Sequence, residues 1–154
     1  MIFYIHVIPF VPLDISKAER AIETAGRILK AVIVGPPLVR RGPGGEVHVD
    51  VPLLYDGEAV DRVHFDPEAM VPSPKGRPVR TRVPVDPDRV KAVMESVMGE
   101  CRVLDAAEFR DPEDAWAVPV AWRNIIIAHI KVAYDGAEFV PDLALTAEVR
   151  RNVP

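Results

Sequence analysis

Histidine is the side chain best suited to moving protons near neutral pH, and this chain places its four histidines in strand-like apolar surroundings. They are Ile5-His6-Val7, Val47-His48-Val49, Val63-His64-Phe65 and Ala128-His129-Ile130. Two are followed at the second position by an aspartate, giving His48/Asp50 and His64/Asp66. On an extended strand, residues i and i+2 point to one face. Each pair therefore has the spacing of a shared metal site, or of a base and the carboxylate that orients it. Strand register decides between joint and separate sites. If Asp56-Gly57 forms a two-residue hairpin turn, Tyr55 pairs with Glu58, and counting back sets His48 opposite Phe65 and His64 opposite Val49. The two histidines then face opposite sides of the hairpin. A joint metal site is not expected, no cofactor is implied, and hydrogen-bonded strand histidines are the plainer expectation.

The second set of chemistry-bearing residues is basic. Arg40 and Arg41 lead into Gly42-Pro43-Gly44-Gly45, while Lys75 and Arg77 lead into Arg80 and Arg82. Guanidinium forks and open backbone amides suit phosphate oxygens. Arg80 and Arg82 on one face of an extended segment would stand about 7 Å apart. A competing role is pairing with Asp105, Glu108, Asp111, Glu113 and Asp114, within the chain or across a dimer, as in the ion-pair networks of heat-stable proteins. No aromatic residue interleaves the 75–82 segment, although stacking on aromatics is how single-stranded nucleic acid is usually held.

Specific catalytic patterns are absent from the sequence. It contains no Gly-x-Gly-x-x-Gly, Walker loop, Gly-x-Ser-x-Gly or His-Glu-x-x-His. The single Cys101 can form no internal disulfide and reads as a small buried hydrophobe. Three functional readings follow. The first is a non-catalytic binding or assembly protein that contacts an anionic, phosphate-bearing ligand or nucleic acid through Arg40, Arg41, Lys75, Arg77, Arg80 and Arg82. The second is an enzyme for a small anionic substrate, with His48, Asp50, His64 and Asp66 supplying the acid–base pair. The third is a structural partner subunit.

The elements that must position these residues begin with a buried strand over 2–9, rich in β-branched and aromatic types. Asp14 is placed to cap a helix whose apolar positions Ala18, Ala21, Ile22, Ala25, Ile28, Leu29 and Val32 recur at helical spacing. A short strand over 31–34 ends at Gly35-Pro36-Pro37. A hairpin follows, with arms over 46–54 and 59–65, and Pro52 marks an edge or bulge. Residues 79–84 alternate like a strand. Asp86 and Pro87 open a second helix that Gly99 closes. Beyond a short strand at 101–104, residues 117–134 read as a long strand or bent pair. Asp135-Gly136 then turns into an arm with Phe139 and Val140, and 147–152 reads as helical. This order suggests one α+β domain over 1–154: an antiparallel-rich sheet with two amphipathic helices on one face, in a ferredoxin-like arrangement with a C-terminal hairpin elaboration. Such a fold hosts many functions and favours none.

The 154 residues suffice for one hydrophobic core. Sixteen prolines, two asparagines and no glutamine accompany 27% charged residues, the bias that high temperature favours. A hyperthermophile origin and high thermostability are therefore expected. Hairpin edges that need covering predict a homo-oligomer. The net charge of −4 speaks against a protein coated in nucleic acid. The first 13 residues lack the basic start and cleavage site of an export signal, and no apolar run reaches membrane-span length. A soluble cytoplasmic protein without membrane contact is expected.

Overall fold

In the computed structural model, residues 13–152 are described. The strand expected over 2–9, with His6, lies outside the described residues. Asp14 starts helix α1 (Ile15–Ala31), its carboxylate accepting from the Ser16 amide at 2.9 Å. Ala21, Ala25 and Ile28, spaced at helical period, are buried. Strand β1 (Ile33–Val34) follows directly, and β2 (Leu38–Arg41) follows the proline pair. The hairpin forms as expected from β3 (Val47–Tyr55) and β4 (Glu58–Asp66). Asp56 and Gly57 both have positive φ, 52° and 78°, the backbone that a twisted two-residue hairpin requires. Strand β5 (Val71–Pro72) closes this sheet, in which β1 and β2 share one side of β3 and β4 lies on the other.

The 79–84 segment pairs at one point only, Thr81 with Val47. Pro78 and Pro84 bracket it and remove the donors that a longer ladder needs. Helix α2 (Pro87–Met98) is capped by Asp86 as expected. Residues 117–134 resolve into two strands of a second sheet, β8 (Ala115–Trp122) and β9 (Ile125–Ala133), joined at Arg123-Asn124. Strands β6 (Arg102–Val103) and β7 (Glu108–Arg110) line the other side of β8. The arm expected after Asp135-Gly136 contributes a single bridge, Phe139 with Val132. Helix α3 (Leu143–Arg151) starts earlier than expected, because Asp142 caps it by accepting from the Leu145 amide.

The α+β class holds, with two antiparallel sheets where a ferredoxin-like arrangement would have one. One main core joins α1 and α2 to the inner faces of both sheets, with Val51, Val63, Phe65, Met94, Val118 and Ile130 fully buried. Helix α3 instead covers a separate cluster of Leu38, Ala59, Leu145 and Val149 on the outer face of the first sheet. Among the described residues, no helix is long and apolar enough to cross a membrane.

Candidate functional site

Register assembles the site. The hairpin starts in the expected pairing, Tyr55 with Glu58 and Leu54 with Ala59, but the next pair is Leu53 with Asp61. Val60 is the extra residue of a β-bulge. Beyond it every partner moves by one, so Val49 rather than His48 faces Phe65, and His64 stands opposite Asp50. Because the side-chain period of a strand is two, a shift of one residue exchanges faces. His48 and His64, expected on opposite sides, therefore share the outer face. Directly paired residues add to that face, since Arg40 lies opposite His48 and Arg62 opposite Pro52.

Asp50 is the centre of this group. Its side chain is only 2% exposed. One carboxylate oxygen accepts from His64 Nδ1 at 2.7 Å, and the other from Arg62 Nη1 at 2.9 Å. Arg40 Nη1 lies 3.7 Å and His48 Nε2 3.9 Å from that second oxygen. Burial alone would push the Asp50 pKa up, but hydrogen bonds from His64 and Arg62 outweigh it and hold the carboxyl below its usual value. An ionised Asp50 can only accept. His64 must therefore present Nδ1–H to it, and in the neutral ring Nε2 then carries the lone pair. That nitrogen makes no hydrogen bond to the described residues and is not buried, the side chain being 14% exposed. A carboxylate that fixes the tautomer and orientation of a histidine with its second nitrogen free is the arrangement of a general acid–base pair.

Glu148 completes the group from α3. One oxygen accepts from Arg40 Nη2 and the other from Arg62 Nη2, the latter at 3.3 Å. The Arg40 hydrogen bond, together with both arginine charges, holds the Glu148 carboxyl below its usual value although burial opposes this. Neither Glu148 nor Arg62 stands out in the sequence. Each has a signal, however. Arg62 lies two residues before His64 on one strand, and Glu148 shares a helical face with Leu145 and Val149.

The other sequence candidates are placed differently. Asp66 does not reach His64 but accepts from the Glu68 and Ala69 amides, capping the turn after β4. Lys75 is paired with Asp61 at 2.6 Å, and Asp61 also accepts from the His129 amide, tying β4 to β9. Arg82 donates to the Gly44 carbonyl, and the Val47–Thr81 bridge sets the two basic loops side by side. Arg41, Arg77 and Arg80 are exposed and make no ion pair with the described residues. No ion pair among the described residues joins the basic segment to the acidic one. Glu113 pairs instead with Lys131, and Glu108 with Arg110. No group of three His, Cys, Asp or Glu among the described residues is placed to hold a metal. An open groove of about 640 Å³ between the C-terminal ends of α1 and α2 lies apart from this group. Comparison with protein-family models, curated proteins and solved structures found no match.

Proposed function

We propose that the outer face of the first sheet is a proton-transfer site for a small oxyanionic substrate. His64 exchanges the proton through Nε2, Asp50 orients the ring, and Arg40 and Arg62 supply the positive charge that holds the substrate. The supporting observation is the 2.7 Å contact between His64 Nδ1 and a buried Asp50 that two arginines flank. Fixed positive charge beside a proton carrier is what a reaction with developing negative charge requires. His48, on the same face, is a second imidazole near the substrate.

The test is turnover of a panel of phosphorylated and carboxylated metabolites, followed by ¹H and ³¹P NMR, in the wild type and in His64→Gln. A conversion present in the wild type and lost in His64→Gln supports the reading. Conversion that survives the substitution, or none with any compound, overturns it. A second reading, non-catalytic anion binding by Arg41, Arg80 and Arg82, draws on the Val47–Thr81 bridge that brings their loops together. It requires phosphate binding that Arg80→Ala/Arg82→Ala abolishes and His64→Gln leaves intact.

A further inference from the structure

The fork formed by Arg40 and Arg62 already holds an oxyanion, and that anion belongs to the chain itself. We propose that Glu148 is a built-in ligand mimic: its carboxylate occupies the substrate's oxyanion subsite, and α3 must leave for the site to fill. This rests on the outer-face site proposed above and names its ligand chemistry and its control.

Three observations carry it. First, each Glu148 oxygen meets a different arginine, so two guanidinium groups converge on one carboxylate with charge-assisted hydrogen bonds that phosphate oxygens could equally accept. Arg62 uses Nη1 for Asp50 and Nη2 for Glu148. The same guanidinium therefore joins the His64–Asp50 pair to the occupant, and an oxyanion replacing Glu148 would sit beside that pair. Second, α3 is built to come away. Its nine residues make only about two and a half turns. They pack through Leu145 and Val149 on Leu38 and Ala59, a cluster separate from the main core. Besides the Glu148 ion pairs, its hydrogen bonds to the sheet among the described residues are two: Thr146 Oγ1 accepts from the Ala59 amide at 2.8 Å, and the Asp142 amide donates to the Ala59 carbonyl at 2.9 Å. Third, the charges balance only while Glu148 is present. Arg40 and Arg62 face Asp50 and Glu148, so removing Glu148 leaves one positive charge uncompensated on a partly desolvated surface, where an oxyanion is favoured.

The balance between internal and external anion follows population arithmetic. The apparent affinity is the intrinsic one reduced by the fraction of molecules with α3 displaced. Glu148→Gln keeps the shape and removes the competing charge. Calorimetric titration with inorganic phosphate should then give a Kd at least tenfold lower in Glu148→Gln than in the wild type, a difference of about 1.4 kcal/mol. Glu148→Gln/Arg62→Ala should lose that gain. In the wild type, saturating phosphate should speed amide hydrogen exchange across Leu143–Arg151, because the ligand displaces the helix. Cooperative thermal melting of Glu148→Gln, with Glu148→Ala as a second variant, establishes that the fold persists. Equal phosphate affinity in the wild type and both Glu148 variants would overturn the proposal, as would slower exchange across α3 on binding. These outcomes are separable from failure of the acid–base reading. Loss of turnover in His64→Gln together with equal phosphate affinities leaves that reading standing and removes Glu148 from it. A Glu148-dependent phosphate site without any turnover does the reverse.

Discussion

Asp50→Asn should cost this fold far more than an ordinary surface substitution. The change keeps the shape and removes one negative charge, and it turns an atom facing Arg62 Nη1 or His64 Nδ1 from acceptor to donor. Breaking a buried ion pair by removing one partner costs about 3–5 kcal/mol. The partners here are only partly buried, with Arg62 25% and Arg40 40% exposed, so solvent relieves part of the loss. A loss of about 2–3 kcal/mol is expected at pH 7, or roughly 5–10 °C in Tm for a domain of this size. The sign of its pH dependence is fixed. The folded Asp50 pKa lies below the unfolded value of about 3.9. Its stabilisation is therefore complete above that value and is lost as pH falls through the folded pKa. Guanidinium chloride unfolding of both proteins at pH 7 and near pH 2.5 provides the assay. The gap should be smaller in acid, where part of the Asp50 ionisation is lost. Arg62→Met should cost less in the Asp50→Asn background than in the wild type, because Arg62 has then already lost one of its two carboxylate partners. A loss below about 0.5 kcal/mol at pH 7, or an equal loss at both pH values, would refute the picture of a buried, charge-paired Asp50.

Burial, with the Glu100 charge beside it, pushes the Cys101 thiol up to about 11. Iodoacetamide should therefore alkylate it about two orders of magnitude more slowly at pH 7 than in the urea-unfolded chain. His129 has a lowered pKa, first from burial and then from the Arg110 charge, and its Nδ1 is buried without a hydrogen-bond partner among the described residues. The unfolded chain thus takes up this proton first as pH drops through about 6.5. Stability should fall between pH 7 and 5, and His129→Leu should flatten that slope in urea titrations. Gly136→Ala must place a Cβ 2.8 Å from Arg20 Cβ and 2.9 Å from the Lys17 carbonyl at φ 81°, whereas at Gly57, with φ 78°, a Cβ meets nothing within 4 Å. Gly57→Ala should cost about 1 kcal/mol, and Gly136→Ala measurably more in the same denaturation assay. Equal costs would show that the contact under Gly136 relaxes freely.

The helices and turns were legible from local signals. Asp14 and Asp86 cap where an aspartate before an apolar stripe should cap. Asp56-Gly57 turns where its chemistry demands. The site was harder to read because its assembly depends on two things that no local pattern carries. One is the bulge, since Ala59, Val60 and Asp61 bear no residue that marks an extra position, and Pro52 drew attention to the opposite strand. The other is the return of α3 over the sheet, which brings Glu148 to Arg40 across 108 residues. His48, Asp50 and His64 were visible as chemistry; which of them would meet was a matter of parity. The 79–84 segment was hard to place for a different reason, because prolines at 78 and 84 reduce an alternating segment to the single bridge at Thr81.

The bulge at Val60 also separates cross-strand pairing from residue count in this hairpin. Val60 has no partner on β3, because Ala59 stands opposite Leu54 and Asp61 opposite Leu53. If the turn and the pairs nearest it keep their places, deleting Val60 would let Ala59 and Asp61 follow one another in a regular ladder, and His64 would stay opposite Asp50. Keeping all the residues while straightening the bulge would do the opposite. Phe65 would come opposite His48, and His64 would turn inward, towards space now filled by Val51, Val63 and Met94. Relatives of this chain that keep the outer-face group should therefore either carry the bulge or lack one residue between Tyr55 and Arg62. A chain of the same length with a regular ladder there would have kept the fold and abandoned the site.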